Sequence, residues 1–228
     1  MIENLLLDLD NTILDFDMAE HIAISKTMRR LGIEPTEAVI RRYSEINKSF
    51  WLRLERGEID RKQTLLGRFE TLFDELGVAI EPSLAMSTYE SMLCIGHYFI
   101  PGAEELLQTL HGKYRLYICS NGSKTVQDSR IASSGIAKYF DGIFISEDMG
   151  YNKPDKRFFD ACFERIPGFS ADKSIMLGDS LSSDILGARN AGVRSIWFNP
   201  QHKALGADIT PDYEIDALEK LPGLLSGL

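Results

Sequence analysis

The chain has 228 residues, of which 44% are hydrophobic and 26% charged, a composition typical of a globular protein rather than of a disordered or fibrous one. A folded chain of this length buries about 70–75% of its unfolded surface, so it needs no disulfide framework for stability. The formal charge of −9 disfavours binding to the nucleic-acid backbone. No apolar run approaches the roughly 18 residues of a membrane span, so neither nucleic acid nor a membrane is expected as a partner.

The cysteines Cys94, Cys119 and Cys162 are scattered and lack Cys-x-x-Cys spacing. This pattern disfavours both a disulfide framework and a zinc site. The first residues also lack the basic leader and the apolar segment of a secretory signal. The sequence therefore predicts a protein of the reducing cytoplasm.

The first predicted element is a buried strand that runs into two aspartates. Residues 5–7 are leucines, and an uninterrupted apolar run is typical of a parallel strand covered on both faces. Asp8 and Asp10 follow directly. Because ligands bind outside the carboxyl ends of strands in open α/β sheets, these acids are candidates for a nucleophile and a proton shuttle, around a metal. The alternative is a polar strand end before a turn.

A long helical segment comes next. Asp17 is a candidate helix N-cap, with Glu20 at the third helical position of a capping arrangement. Because no strand pattern occurs in residues 17–97, we expect this range to be a helical domain inserted into an α/β domain of residues 1–16 and 98–228. Further helix-starting residues within it are Pro35, Asp60 and Pro82.

The remainder of the chain alternates between apolar strands and helices. Alternation of this kind indicates βαβ crossovers and a parallel sheet. We therefore predict an α/β fold, with a Rossmann-like parallel sheet covered by helices on both faces, plus the inserted all-helical domain. The predicted strands are 114–119, 142–145, 174–177, 194–198 and 213–215, and the predicted helices are 103–110, 124–133, 155–164 and 183–191, with a last helix capped by Asp216.

Polar residues follow the predicted strands, at the edge where ligands bind in such sheets. They are Ser120 and Asn121 after the second strand, Lys153 after the third, and Asp179 and Asp184 after the fourth. Simpler interpretations are a turn for the first pair, a solvated surface lysine, and helix caps for the aspartates. Carboxylates converging at one edge would raise one another's pKa, and a divalent cation would relieve the repulsion. All-oxygen ligands suit Mg²⁺ better than zinc.

This set of residues meets the needs of phosphoryl transfer. A carboxylate can attack a phosphoryl group only if the negative charge of that group is neutralised, which Mg²⁺ and Lys153 can do. The Ser120 hydroxyl and the backbone N–H of Asn121 can bind phosphoryl oxygens. Asp8 is then the candidate nucleophile, which forms an aspartyl-phosphate, and Asp10 can protonate the leaving oxygen and later activate water.

The four segments, in this order, resemble the motifs of the haloacid dehalogenase (HAD) superfamily. The matching segments are Asp8–Thr12, Ser120-Asn121, Lys153 and Gly178–Asp184. The resemblance spans the whole chain, and it implies the nucleophile, acid/base and Mg²⁺ roles given above.

The resemblance also implies a ligand set for the metal. The ligands would be Asp8, the backbone carbonyl of Asp10, and Asp179, with Asp184 acting indirectly or through a water. The helical segment at 17–97 has the position of the superfamily's helical cap, which closes over the site and selects the substrate. Asp10 disfavours a dehalogenase, because those enzymes lack an acid/base aspartate at that position.

The sequence further resembles the bacterial house-cleaning pyrimidine 5′-nucleotidases, which hydrolyse nucleoside monophosphates. The resemblance lies in residues 47–51, Gly57, 66–70, 145–150 and 153–155. Candidate substrate contacts around the cap are Phe16, Trp51 and Arg68. Their simpler interpretations are a packing residue at the cap hinge, an aromatic residue of the cap core, and an exposed arginine of a cap helix.

We therefore predict a Mg²⁺-dependent phosphomonoester hydrolase, a monomer or homodimer, that acts on a small phosphorylated metabolite, above all a pyrimidine nucleoside monophosphate. Two alternatives stay open. One is a phosphatase or phosphomutase for sugar phosphates or other small metabolites. The other is a regulatory or binding protein of this fold without turnover, which the joint presence of the acids, Ser120 and Lys153 disfavours.

Overall fold

The computed structural model describes residues 1–206 and 208–228. The chain forms two compact units, of which one consists of Met1–Asp15 with Tyr98–Leu228 and the other of Phe16–His97. Within the described ranges, no helix is both long enough and apolar enough to cross a membrane.

The strands and α-helices alternate over most of the larger unit, whereas the smaller unit is helical. In chain order the elements are β1 (Asn4–Leu7), α1 (Phe16–Arg30), α2 (Glu37–Glu55), α3 (Arg61–Leu76), α4 (Pro82–Leu93), α5 (Ala103–Leu110), β2 (Arg115–Ser120), α6 (Lys124–Ser134), β3 (Gly142–Ile145), α7 (Ser146–Met149), α8 (Lys156–Phe163), β4 (Ser174–Gly178), α9 (Leu186–Ala191), β5 (Arg194–Phe198), β6 (Tyr213–Ile215) and α10 (Leu221–Ser226).

The larger unit is built on a six-stranded parallel sheet in the order β3-β2-β1-β4-β5-β6. The chain first extends the sheet from β1 to β3 on one side, then returns to place β4 beside β1 and continues on the other side. Such a reversal leaves a crevice at the carboxyl ends of β1 and β4, which is where ligands bind in open α/β sheets. The predicted Rossmann-like parallel sheet is confirmed.

Helices cover both faces of this sheet, as the leucines of β1 illustrate. Leu5 and Leu7 belong to an apolar cluster that includes Leu107 of α5 and Leu221 of α10. Leu6 points to the opposite face and belongs to a second cluster. That cluster contains the aromatic residues Phe158 and Phe159 of α8. Burial on both faces explains why the three consecutive residues Leu5, Leu6 and Leu7 of β1 are all apolar.

Two predicted helix starts in this unit are wrong. The helix expected at 183–191 begins instead as a π-helical turn, Leu181–Ile185, which continues into α9. Asp216 does not cap the last helix: its carboxylate pairs with Lys220 at 2.6 Å, and α10 begins after a 3₁₀ turn. Pro222 near the start of α10 is favoured in the first helical turn, where its missing N–H costs nothing.

The smaller unit consists of α1 to α4. Asp60 caps α3 as predicted, since its side chain accepts a hydrogen bond from Gln63 N at 2.7 Å and the Gln63 side chain accepts one from Asp60 N at 2.9 Å. The second helix begins at Glu37, with Thr36 rather than Pro35 at the cap position. The fourth helix begins at Pro82 as predicted.

Glu20 is not a capping residue, which corrects the prediction from the sequence. It lies buried in α1, and its carboxylate accepts hydrogen bonds from Ser44 Oγ and Asn47 Nδ2 of α2, each at 2.5 Å. Burial raises the pKa of Glu20, and these two donors oppose the rise. The Asn47 Oδ1 atom in turn accepts from Arg68 Nη1 of α3 at 2.7 Å. One amide side chain therefore connects a buried carboxylate to a buried guanidinium across three helices.

Removing this amide should destabilise the helical unit, because Glu20 and Arg68 would stay buried without the group that joins them. We expect Asn47→Ala to lower the free energy of unfolding by about 2–4 kcal/mol. Lys48→Ala, which removes an exposed side chain at the next position of α2, is the control and should resemble the wild type. Urea unfolding followed by circular dichroism measures both. Equal unfolding midpoints for the two variants would contradict the role given to Asn47.

Candidate active site

The site lies where three neighbouring strands end. Ser120 is the last residue of β2, Asp8 directly follows β1, and Asp179 directly follows β4. The backbone N–H of Asp8 donates to Leu177 O at 2.9 Å, which continues the pairing of β1 with β4 up to the acids. The indole N–H of Trp197 in β5 donates to Asp179 O at 2.9 Å. The order of the strands therefore brings together residues that are far apart in the sequence.

Lys153 lies at the centre of the site and is only 1% exposed, so it is not the surface lysine that one interpretation of the sequence allowed. Its Nζ donates to Asp8 Oδ1 at 2.6 Å, to Asp184 Oδ1 at 2.7 Å and to the carbonyl oxygen of Cys119 at 2.6 Å. The Asn121 side chain fixes the backbone of this lysine, since its amide donates to Lys153 O at 2.9 Å and accepts from Lys153 N at 2.8 Å.

Three carboxylates meet around this ammonium group. Asp8, Asp179 and Asp184 each have an oxygen within 4.8 Å of those of the other two. Both Asp184 oxygens accept hydrogen bonds, from Lys153 Nζ and from Ser180 N at 3.0 Å, which is compatible with the indirect role predicted for it. Thr12 Oγ1 lies 3.4 Å from Asp8 Oδ2.

The charges in this pocket are unbalanced. Burial raises the pKa of Asp8 well above its usual range, Lys153 opposes that rise, and Asp184 and Asp179 add to it. Burial likewise raises the pKa of Asp179 to about 7, with a further contribution from Asp184. Burial disfavours the charged form of Lys153, but the Asp184 and Asp8 carboxylates outweigh this and raise its pKa. One lysine therefore faces three acids, and two of these acids have raised pKa values.

This donor set fits a hard divalent cation. Carboxylate oxygens are the preferred ligands of Mg²⁺, and a second positive charge would allow the acids to ionise together. Among the described residues, Asp8, Asp179 and Asp184 are the group whose spacing could accommodate an ion. The neighbouring Ser120 hydroxyl is suited to bind an anion beside it, and the positive charge of Lys153 would attract one.

Gln127 and Arg130 of α6 also contact the site, although neither residue was predicted from the sequence. The Oδ1 atom of Asp10 accepts a hydrogen bond from Arg130 Nη1, and the Oδ2 atom accepts one from Gln127 Nε2 at 2.6 Å. Gln127 Nε2 also donates to Ser120 Oγ at 2.8 Å. A signal existed in the sequence, because the buried stripe of α6 is formed by positions 126, 127, 130 and 131, and two of these four residues are polar.

A family model described as haloacid dehalogenase-like hydrolase matches residues 2–192. The chain belongs to this family. The predicted membership of the HAD superfamily is thereby confirmed, and the chain is an enzyme of the hydrolase class.

Relatives of this HAD hydrolase match over nearly their whole length. The HAD-hydrolase YfnB of Bacillus subtilis is 39% identical over 97% of this chain and 94% of its own. A crystal structure of YfnB with magnesium bound superposes with a TM-score of 0.94 at 38% identity, covering 98% of each chain. The pyrimidine 5′-nucleotidases PynA of Streptococcus pneumoniae and YjjG of Escherichia coli are 37% and 30% identical, covering 95% and 96% of this chain and 92% and 95% of their own.

The structure places the three predicted cap contacts of this hydrolase within the helical unit. Phe16 begins α1 and is partly buried. Trp51 is also partly buried, and the guanidinium of Arg61 lies 5.7 Å from its ring centre. Arg68 is 2% exposed, so the interpretation as an exposed arginine is wrong. Its guanidinium lies 5.3 and 5.1 Å from the ring centres of Phe69 and Tyr89. A role in substrate binding stays a prediction for these residues.

Gly178 in the HAD hydrolase occupies a position where a side chain would collide with the site. A Cβ atom there would lie 2.2 Å from Asp184 Oδ2. We expect Gly178→Ala to displace Asp184 and to lower the free energy of unfolding by about 1–3 kcal/mol, as overpacking does. Gly223→Ala, where a Cβ atom meets nothing within 4 Å, is the matched control. Thermal unfolding measures both, and a Gly178→Ala variant as stable as the control would contradict this packing.

Proposed function

We propose that this protein is a Mg²⁺-dependent phosphomonoester hydrolase that acts through an aspartyl-phosphate on Asp8. The observation that carries the proposal is the cluster of Asp8, Asp179 and Asp184 at the crevice between β1 and β4, where Asp8 and Asp184 pair with the buried Lys153 ammonium. A nucleophilic carboxylate, a cation site and a fixed positive charge are the components that an anionic phosphoryl substrate requires.

Each side chain has a distinct task in this reaction. Asp8 attacks the phosphorus atom, and Lys153 offsets the negative charge of the phosphoryl oxygens beside it. Mg²⁺, bound to Asp8, Asp179 and the Asp10 carbonyl, would supply the remaining positive charge. Asp10 protonates the leaving oxygen and then accepts a proton from the water that hydrolyses the aspartyl-phosphate.

Ser120 is suited to bind a phosphoryl oxygen. Its Oγ accepts from Gly122 N at 3.2 Å and from Gln127 Nε2 at 2.8 Å. A hydroxyl has two acceptor sites and one donor, so the O–H of Ser120 is the group that it can offer to an anion. The backbone N–H of Asn121 is the second donor proposed for the phosphoryl group.

The proposed substrate is a pyrimidine nucleoside 5′-monophosphate. PynA and YjjG are pyrimidine 5′-nucleotidases that match almost the entire chain, and the match therefore includes the helical unit as well as the sheet. Asp10 supports a phosphatase over a dehalogenase, because an alkoxide leaving group needs a proton that a halide does not.

Hydrolysis of p-nitrophenyl phosphate and of UMP, dUMP and dTMP should require Mg²⁺, and sugar phosphates should be poorer substrates. Asp8→Asn removes the nucleophile and should lower kcat by about 10⁴-fold or more. Asp128→Asn, the same change on the exposed face of α6, is the control and should leave kcat unchanged. Phosphate release measured with and without EDTA tests both variants.

The outcomes of this experiment separate the alternatives. Good turnover of sugar phosphates with poor turnover of all three nucleotides would overturn the nucleotidase assignment alone. Wild-type activity that survives EDTA, or an Asp8→Asn variant that is as active as Asp128→Asn, would overturn the mechanism itself.

Metal affinity should depend on pH, because the cation competes with protons for the same acids. The pKa of Asp179 is about 7, so Asp179 is increasingly protonated below neutrality, and burial also raises the pKa of Asp8. Lowering the pH from about 8 to about 6 should therefore weaken Mg²⁺ binding about tenfold or more, and binding should release protons. Calorimetry in buffers of different ionisation enthalpy measures both quantities. An affinity that is constant across this range would contradict the charge balance described above.

A further inference from the structure

The first observation is that α6 presents a buried charged residue to Asp10. Arg130 is fully buried, and its Nη1 donates to Asp10 Oδ1 and to Gln127 Oε1, the latter at 2.9 Å. A buried guanidinium is costly unless charged and polar partners compensate it. Asp10, by contrast, is one-quarter exposed, so one end of this ion pair lies at the mouth of the site and the other lies inside the protein.

The second observation is that the chemistry of its neighbours fixes the orientation of the Gln127 amide. Its Oε1 faces Arg130, which can only donate, and its Nε2 faces the Asp10 carboxylate, which accepts when ionised. The same Nε2 donates to Ser120 Oγ, so the two hydrogens of one NH₂ group reach the proposed acid/base and the proposed phosphate-binding hydroxyl.

The third observation is that the residue after Asn121 is a glycine, and any side chain there would collide with this amide. A Cβ atom at Gly122 would lie 2.3 Å from Gln127 Nε2 and 2.6 Å from its Cδ. The glycine therefore allows the Gln127 side chain to lie against the turn that follows Ser120. Contact with the backbone at Gly122 therefore also holds the Gln127 amide in place between Ser120 and Asp10.

We propose that Gln127 and Arg130 are positioning residues that hold the Asp10 carboxyl group at a fixed place relative to Ser120, and this inference rests on the proposed function. Each Asp10 oxygen uses one of its two lone pairs for these contacts, so either can also carry the transferred proton.

In the first step the bond from Asp8 to phosphorus forms, the bond to the leaving oxygen breaks, and that oxygen takes the Asp10 proton. In the second step water attacks phosphorus, its proton goes to Asp10, and the bond to Asp8 breaks.

A double-mutant cycle with Asp10→Asn tests whether the two α6 residues act through Asp10. Arg130→Gln and Gln127→Met should each lower kcat for UMP by about 10–100-fold with KM within about threefold, because proton transfer is worth about 10²–10⁴-fold. Arg130→Lys should recover part of the loss. In the Asp10→Asn background, the same changes should cost less than about twofold.

The leaving group supplies a second readout. The p-nitrophenolate ion leaves without a proton, so the burst of p-nitrophenol in a single turnover should fall much less than UMP turnover does. Arg115→Gln is the matched control, because Arg115 is a partly exposed arginine that pairs with Glu3 at 3.4 Å at the opposite end of β2, and it should match the wild type. Thermal unfolding checks that each variant folds, and Gln127→Met tests the same idea without removing a buried charge.

Losses that stay the same in the Asp10→Asn background would overturn the positioning role, because a merely structural residue acts independently of Asp10. A rise in kcat would also overturn it, since Arg130 would then restrain Asp10 in an inactive position. If the wild type shows no Mg²⁺-dependent hydrolysis at all, the proposed function fails, and the positioning role fails with it.

Discussion

The Lys153 ammonium, buried between two carboxylates, is the interaction on which the rest of the site depends. It joins Asp8 at the end of β1 to Asp184 after β4, and it reaches the carbonyl oxygen of Cys119 in β2. Removing one partner from such a buried pair typically costs about 3–5 kcal/mol, because the other charge stays uncompensated. The same contacts therefore stabilise the carboxyl edge of the sheet and define the place where an anionic substrate would meet a positive charge.

The pocket contains more negative charge than its lysine can balance, and this excess connects the stability of the fold to its chemistry. Burial raises the pKa values of Asp8 and Asp179, so the acids do not all ionise easily on their own. A divalent cation would favour the ionised forms, and a nucleophilic carboxylate must be ionised to attack. Under the proposed function, metal binding and activation of the nucleophile are therefore one event.

Much of the fold could be predicted from the sequence because its signals are local. Apolar runs predicted the strands, and Asp60 predicted the start of α3. The order of polar residues after the strands predicted which side chains would meet, since parallel strands share one edge. Glu20, Gln127 and Arg130 were missed or misread because their partners are distant in sequence, or belong to a neighbouring helix or strand. The one local sign of such a network in the sequence is a polar residue at a helix position where the pattern predicts a buried apolar residue.

The most direct measurement is to trap the covalent intermediate. The Asp10→Asn variant should form the aspartyl-phosphate and hydrolyse it slowly, because the group that activates water is missing. After incubation with p-nitrophenyl phosphate and Mg²⁺ and an acid quench, mass spectrometry should find phosphate on the peptide that contains Asp8, and hydroxylamine should remove it. A phosphate found on another residue, or an unmodified Asp8 in a variant that has released a stoichiometric burst of p-nitrophenol, would contradict the account.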